Sequence, residues 1–403
     1  MNFFKYILLG LLSALPLALR GQADLPLHRG DDWQTLSARG GIWRNGDYFV
    51  RSYEGLGEFV MMDYVNGFAL GPRVTVGKVL KDYSRVEFDT DIKWAFSREK
   101  LMAKAAARYI FAPQYNGFLE VFGGKFTNDF DRYPVLDNSL RSTAVSLFGW
   151  SHFKLYEQTT FGARLYGALG PYWQITGLLA WEKRKQLETH RKTNVFGKDA
   201  VENVPYVQKQ RMEDFGVNKI LRLDFQLDYV PGRKIMVVDD MTAYAQSSEP
   251  TFSLRQTSGF NHGLEFLSLE LSVLGRRQGW KRYEQIAYYA SAGFFPVKKR
   301  VMLMDMRHFD ASSFALTRGF GLTQFTLLDN YELSTAKSWI EGHAEWNNGL
   351  FYGQVHAVKV PDCQAHEELS AGVSLMNFFR IGLSVGFDDA KYDGVAFNLG
   401  LKM

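Results

Sequence analysis

The sequence lacks the features that identify several common classes of protein. It has a single cysteine, Cys363, in 403 residues, so no internal disulfide can form. No segment reaches 18 consecutive apolar residues and the mean hydropathy is −0.20, which together exclude a bundle of membrane helices. The formal net charge is only +4, far from the concentrated basic surface of nucleic-acid-binding proteins, so we expect no nucleic-acid partner.

Proline is also scarce, with 11 residues, whereas aromatic residues make up 15% of the chain. So much aromatic area can offset the conformational entropy that folding removes, and this argues against a disordered chain. The sequence is therefore aromatic-rich and polar at once, without helical membrane spans.

The N-terminus has the pattern of an export signal. Lys5 precedes a 13-residue apolar run, Ile7–Leu19, and Gly21-Gln22-Ala23 supplies the small residues of a cleavage site. We predict a signal peptide over residues 1–23. The alternative is a short membrane anchor, but 13 helical residues cover only about 20 Å of a core roughly 30 Å thick.

Apolar and polar residues alternate with a period of two in several segments, which predicts β-strands with one apolar and one polar face. In residues 85–96, for example, Val86, Phe88 and Ile92 share one face while Glu87 and Asp91 share the other. The same alternation recurs at residues 221–229, 267–273, 381–387 and 395–403.

Such strands fit either a soluble antiparallel sandwich, with the apolar face inward, or a membrane barrel, with the apolar face outward. Three features favour the barrel: several strands are about 9–12 residues long, the polar faces carry both signs of charge, and alternation continues to Met403. We therefore predict an all-β, transmembrane antiparallel β-barrel of about 16 strands, with 14 to 18 acceptable. The expected organisation is a signal peptide (1–23), a short periplasmic segment (24–43) and an outer-membrane barrel (44–403).

Connections of unequal length are expected at the two ends of such a barrel. Residues 97–100 and 114–117 are predicted to form short periplasmic turns. Residues 127–140 and 184–218 are predicted to form long extracellular loops, because outer-membrane barrels place their long loops outside.

Three stretches carry a resemblance to a known family: residues 145–157 with 173–184, residues 305–310 with 325–335, and residues 341–349. In this order they resemble the barrel region of a Bacteroidota outer-membrane family of unknown function, over residues 51–403. Members of that family usually carry a carboxypeptidase-regulatory-like β-sandwich ahead of the barrel, and we expect no such domain in this chain. The family is more distantly similar to surface-antigen and assembly barrels, and Arg318-Gly319-Phe320 resembles a loop motif of those proteins.

Two polar clusters are candidates for chemistry inside the barrel. Glu341, His343 and Glu345 fall on one face of a strand, where they could hold a metal or form a polar network that fixes the packing. The second cluster could supply ion pairs or a proton relay, and comprises Asp305, Arg307, His308 and Asp310.

No recognisable catalytic motif accompanies these clusters. Residues 366–370 come close to the helical zinc-protease motif, but Ser370 stands where the second histidine ligand is required. We therefore expect no enzyme activity, no resident metal and no cofactor. A serine–histidine pair assembled from separate strands remains an open alternative.

The predicted partners follow from the barrel assignment. Outer-membrane lipid would contact the apolar faces, and basic runs at residues 276–277, 281–282 and 298–300 could bind lipid phosphates or simply mark solvated turns. The C-terminal strand would engage the barrel-assembly machinery. We expect a role in transport or envelope assembly; the alternatives are an outer-membrane enzyme acting on lipid or surface polymer, or a binding scaffold that presents residues 184–218.

Overall fold

The computed structural model describes residues 34–37, 40–53, 59–80, 84–111, 117–131, 154–190, 193, 202–208, 210–233, 235–238, 241–244, 249–279, 284–311, 321–375 and 379–401. Nearly all regular structure in these residues is β-strand, and a single 3-10 turn covers Leu303–Asp305. No helix of the described residues is both long enough and apolar enough to span a membrane. The predicted signal peptide lies outside the described residues.

The strands are numbered along the chain. They are β1 (Gln34–Ser37), β2 (Gly40–Asn45), β3 (Tyr48–Tyr53), β4 (Val60–Asp63), β5 (Gly67–Leu70), β6 (Arg73–Val79), β7 (Arg85–Ala95), β8 (Lys100–Ile110), β9 (Phe118–Asp129), β10 (Leu155–Leu169), β11 (Trp173–Gln186), β12 (Tyr206–Val207), β13 (Gln210–Arg211), β14 (Val217–Tyr229), β15 (Ile235–Val238), β16 (Met241–Tyr244), β17 (Thr251–Phe260), β18 (Leu264–Gln278), β19 (Gln285–Lys298), β20 (Ser338–Asn347), β21 (Phe351–Lys359), β22 (His366–Leu375), β23 (Phe379–Asp388) and β24 (Lys391–Leu401).

Eighteen of these strands form one antiparallel sheet in which each pairs with the next. The remaining six form the hairpins β4–β5, β12–β13 and β15–β16, of which β4–β5 joins the sheet through β7. The predicted all-β antiparallel architecture and its range of 14 to 18 strands are confirmed. In the described part of the chain, β1 and β24 are not hydrogen-bonded to each other.

The two faces of the sheet differ in the way the alternation predicts. On β20 the polar side chains of Glu341 and His343 are each 4% exposed, whereas Ile340 is 61% exposed. On β18, Leu271 is 64% exposed. A soluble sandwich would bury these apolar side chains, so that alternative is wrong for this chain.

The sheet curls around residues 299–337, which connect β19 to β20. We call this connection the inner segment; it is described at residues 299–311 and 321–337. Its side chains and backbone contact Asp129 on β9, Arg184 on β11 and Glu368 on β22. In a flat sheet β9 and β22 would lie about 43 Å apart, at nine spacings of about 4.8 Å. Contact with one segment therefore requires a strongly curved sheet with its polar face inside.

Apolar side chains of the inner segment form much of the buried core. Phe309, Phe325 and Leu328 pack with Phe266 and Trp339 of the sheet. A second cluster brings together Phe130, Tyr156, Leu303, Met304 and Tyr331. The core thus lies between the inner segment and the sheet, not between two sheets.

The predicted turns need one correction. Residues 96–99 form the β7–β8 turn and residues 111–117 connect β8 to β9, so the two lie at opposite ends of β8. Both cannot be periplasmic, because an antiparallel strand exchanges ends between its two connections. The two long connections, residues 130–154 and 187–216, do lie at one end, together with residues 96–99.

Candidate functional site

The site is the interface between the inner segment and the polar face of the sheet. Both predicted clusters contribute to it. Alternation along β20 turns Glu341, His343 and Glu345 inward. Residues 305–310 of the inner segment approach from the other side, and the structure brings Arg307 and Glu341 together in an ion pair.

Arg307 is the centre of this contact. It pairs with Glu341 and lies 3.4 Å from Glu270 of β18, and its guanidinium carbon stands 5.8 Å from the centre of the Trp339 ring. Glu341 also accepts a hydrogen bond from the Ser291 hydroxyl at 2.6 Å. Burial lowers the pKa of Arg307, but the two carboxylates outweigh this and hold it above its usual range. The arginine therefore stays charged and links the inner segment to two strands.

Asp305 makes the second ionic contact. Its carboxylate accepts a hydrogen bond of 2.5 Å from Arg184 of β11, which is completely buried. Arg184 also donates to Glu182 at 2.8 and 2.6 Å. A buried arginine between two carboxylates fixes the position of the 3-10 turn over this part of the sheet.

His308 and Asp310 are bonded within the inner segment. The Nδ1 atom of His308 lies 2.7 Å from the Ser334 hydroxyl, and Thr323 donates a hydrogen bond to the Asp310 carboxylate. Burial raises the pKa of Asp310 to about 7, although the bond from Thr323 opposes the shift. These contacts join the two described parts of the inner segment.

His343 belongs to a group of rings around Phe325, a completely buried residue of the inner segment. The ring centres of His343, His356 and His366 lie 5.1, 5.7 and 5.7 Å from that of Phe325. The Nδ1 atoms of His343 and His356 are 2.9 Å apart, so one must donate and the other accept a hydrogen bond. Histidine rings from three neighbouring strands thereby surround the Phe325 side chain.

Glu368 of β22 holds the residues that follow Phe325. Its carboxylate accepts hydrogen bonds from the backbone N–H groups of Thr326, Leu327 and Leu328 at 2.6, 2.7 and 3.3 Å. It also lies 2.9 Å from Nε2 of His366. Neither of the two predicted polar clusters included Glu368. Alternation of His366, Glu368 and Ser370 on one strand face could have identified it.

Glu345 has a different environment from the other two members of its cluster. It forms a two-point ion pair with Arg380 of β23, at 2.9 and 2.6 Å, and accepts a bond from Gln354 at 2.9 Å. Glu341 and Glu345 therefore each face an arginine instead of a common metal position. A group of three side chains that could hold a metal is formed elsewhere in the described residues, by His366, Asp388 and Asp393.

The remaining predicted features are placed as follows. Residues 366–370 begin strand β22, so they cannot form the helical zinc-protease motif, which the sequence had already excluded. The basic residues 276–277 and 298–300 lie at opposite ends of the sheet, because β18 and β19 are antiparallel. Arg318-Gly319-Phe320 and residues 281–282 lie outside the described residues.

Taken together, the contacts hold the inner segment inside the curved sheet by polar groups from β9 to β23 as well as by apolar packing. Most of these groups are charged, and a displaced inner segment would leave a charged, hydratable interior. The arrangement therefore fills the space along the polar face of the curved sheet.

Comparison with known proteins identifies the family. The chain matches the C-terminal domain of DUF5686, a family of unknown function, over residues 38–372, and it belongs to that family. No curated protein matches the sequence.

Three solved structures are similar in outline. BamA from Haemophilus ducreyi, lacking POTRA domains 1-3, has a TM-score of 0.44 and 10% identity, with 89% of this chain and 69% of that chain covered. CdiB from Acinetobacter baumannii has a TM-score of 0.39 and 10% identity, covering 82% and 55%. The hemophore receptor HasR of Serratia marcescens has a TM-score of 0.35 and 9% identity, covering 89% and 72%. Because these likenesses are weak, the function proposed below rests on the chain's own residues.

Proposed function

We propose that this member of the DUF5686 C-terminal domain family is an integral outer-membrane barrel in which the inner segment is a displaceable plug, and that it serves transport. The observation that carries the proposal is the polar attachment of the inner segment to the sheet. Arg307–Glu341, Asp305–Arg184 and the bonds to Glu368 fill an interior that would otherwise be lined by charge.

The chemistry of these contacts suits a reversible closure. Buried ion pairs contribute little net stability, because desolvation of the charges offsets their attraction, whereas loss of one partner is strongly unfavourable. Apolar residues of similar size would hold a permanent core at least as well. In the displaced state, water could solvate the charges on both the plug and the wall.

Membrane placement is part of the same proposal. The exposed apolar face, with residues such as Leu271 and Ile340, would contact outer-membrane lipid, and an N-terminal signal peptide would direct export. The C-terminal strand β24 would engage the barrel-assembly machinery. A Bacteroidota origin, and the usual association of the family with a leading β-sandwich, belong to the proposal as well.

Conductance in planar bilayers tests the transport role. Wild-type protein should be mostly closed, and Arg307→Met should open often, because the carboxylates of Glu341 and Glu270 lose their partly buried partner. A loss of about 3 kcal/mol of docking free energy corresponds to roughly a hundredfold more frequent opening. Arg211→Met, which breaks an exposed ion pair with Glu202, is the matched control and should stay closed.

The interpretation requires that both variants are folded, which heat-dependent migration in detergent gels reports. Folded Arg307→Met that remains as silent as the wild type and the control would contradict a plug that closes a conduit.

Envelope assembly is a second candidate, favoured by the strand pairing. β1 and β24 are not hydrogen-bonded to each other in the described residues, and open strand edges can pair with another chain. The test is to introduce one cysteine on β1 and one on β24 in a Cys363→Ser background. Oxidation to a disulfide should impair envelope assembly, because the two strand edges can no longer pair with another chain, and reduction should restore it. A normal envelope with fully cross-linked protein would contradict this role.

A further inference from the structure

The group His366, Asp388 and Asp393 lies where three neighbouring strands meet at one end of the sheet. His366 begins β22, Asp388 ends β23 and Asp393 is near the start of β24. One ligand atom from each residue lies within 4.8 Å of the others. The imidazole is buried, Asp388 is partly exposed and Asp393 is exposed, so the group reaches solvent through its aspartates.

Two carboxylates, those of Asp388 and Asp393, meet here beside a single histidine. Asp388 lies 2.9 Å from Nδ1 of His366. Within the described part of the chain, neither Asp388 nor Asp393 forms an ion pair with a lysine or arginine. By contrast, the adjacent Asp389 is paired with Lys359. Two close carboxylates repel each other, and a bound cation would relieve that repulsion.

The second nitrogen of His366 is held in the way that metal-binding histidines require. Nε2 lies 2.9 Å from Glu368, and three backbone N–H groups of the inner segment hold the same carboxylate in place. A histidine that ligates a metal usually donates its other N–H to a carboxylate, which orients the ring and increases its basicity. Glu368 therefore holds the imidazole ring with its Nδ1 atom facing Asp388.

We propose that His366, Asp388 and Asp393 bind a divalent cation of the Zn²⁺ or Mn²⁺ type, and that binding strengthens attachment of the inner segment through Glu368. One imidazole and two carboxylates suit zinc or manganese better than calcium, which takes six to eight oxygen ligands. The cation replaces the proton that Nδ1 shares with Asp388. Tetrahedral zinc places its ligand atoms roughly 3.3 Å apart, so the two aspartates need only close slightly around it.

The coupling follows from the shared carboxylate. Both ring nitrogens of His366 already face carboxylates, Nδ1 at 2.9 Å from Asp388 and Nε2 at 2.9 Å from Glu368. A cation that takes the place of the proton on Nδ1 keeps Nε2–H as a charge-assisted donor to Glu368 and holds the ring, and with it the Glu368 side chain, in one position. Glu368 in turn accepts the N–H groups of Thr326, Leu327 and Leu328. Cation binding at this end of the sheet thereby affects the inner segment through His366 and Glu368.

Titration of the detergent-solubilised full chain with ZnCl2 and with MnCl2, followed by calorimetry, tests the binding site. Asp393→Asn removes one ligand at an exposed position, so the variant should fold and bind at least about tenfold more weakly. Asp362→Asn is the matched control, because it removes an exposed carboxylate from the neighbouring β21–β22 connection. The control should bind as the wild type does. Cys363→Ser should also bind normally, since the thiol is not a ligand.

Hydrogen exchange of the Leu327 and Leu328 amides tests the coupling separately. Zn²⁺ should slow their exchange at least about fivefold in the wild type and leave it unchanged in Asp393→Asn. Equal affinity in wild type and Asp393→Asn, or loss of binding in Cys363→Ser, would overturn the site. Binding that leaves amide exchange unchanged would overturn the coupling. Neither readout depends on conductance, so the site can fail while the transport proposal stands, or the reverse.

Discussion

The carboxyl group of Asp310 makes the docking of the inner segment depend on pH. Its side chain is bonded to Thr323, and its backbone carbonyl accepts the N–H of Phe325 at 2.8 Å. Burial raises its pKa to about 7 from an ordinary 3.8. The folded interior thus favours the neutral acid, so the docked inner segment is most stable below about pH 4. Docking weakens as the pH rises towards 7, and the penalty is complete above it.

The Asp310→Asn variant should remove this pH dependence. The amide keeps the shape of the neutral acid and cannot ionise, so docking at pH 8 should gain up to about 4 kcal/mol. Hydrogen exchange of the Phe325 amide measures this gain in docking free energy. The quantity to compare is the exchange rate in the variant divided by the exchange rate in the wild type at the same pH. The ratio should fall between pH 5 and pH 8; a ratio that stays constant over that range would contradict the assignment.

Gly372 shows how closely neighbouring strands approach. A Cβ atom there would stand 2.1 Å from the carbonyl oxygen of Ile381 on β23, so backbone would have to move. We expect Gly372→Ala to destabilise the protein by about 1–3 kcal/mol, the usual range for overpacking. Gly342→Ala is the matched control, because its Cβ would meet nothing within 4 Å. The urea concentration at which heat-dependent gel migration is lost reports the difference, and equal midpoints would be inconsistent with it.

At the scale of elements, the inner segment and the strands that hold it behave as one unit. Arg184 of β11 bonds Asp305 and Glu182, both buried. Arg184→Met leaves those carboxylates without this partner and should cost about 3–5 kcal/mol. Because Asp305 is on the inner segment, we expect much of this loss to appear as release of the segment, measured by protease cleavage within residues 299–337.

The double variant Arg184→Met/Asp305→Asn separates charge from packing. The Asp305→Asn change removes the buried negative charge from the inner segment. The double variant should therefore be more resistant to protease cleavage than Arg184→Met alone. Equal cleavage of the single and double variants would mean that the Arg184–Asp305 pair does not hold the segment.

For the molecule as a whole, the exposed apolar face is the feature on which the proposed membrane placement can be tested. Leu271 lies near the middle of β18 and is 64% exposed. If that face contacts lipid, Leu271→Arg should cost about 2–4 kcal/mol, because arginine is unfavourable near the bilayer midplane. Leu350→Arg, in the turn between β20 and β21, is the control and should cost little.

Both variants can be refolded into vesicles and compared by their urea midpoints. If Leu271→Arg is no less stable than Leu350→Arg, the apolar face does not lie in a bilayer.

Sequence periodicity was sufficient to predict the class of fold and the face of the sheet on which each side chain lies. A period-two pattern assigns every residue to one of two faces, so exposed Ile92 and buried Asp91 were separated correctly without any tertiary information. It also assigned Glu341, His343 and Glu345 to one face, and the length of the alternating segments favoured a long-stranded sheet. These properties are local, because they depend on neighbours within one strand.

The identity of the groups that contact one another depends instead on the three-dimensional path of the chain. Arg307 faces Glu341, Arg184 faces Asp305, and Glu368 caps the turn after Phe325, although no spacing in the chain connects them. The pairing of Glu345 with Arg380, and not with a metal shared with Glu341, also depends on the register of β20 to β23. Sequence periodicity predicts that a side chain points inward. The curvature of the sheet and the path of residues 299–337 determine which groups that side chain contacts.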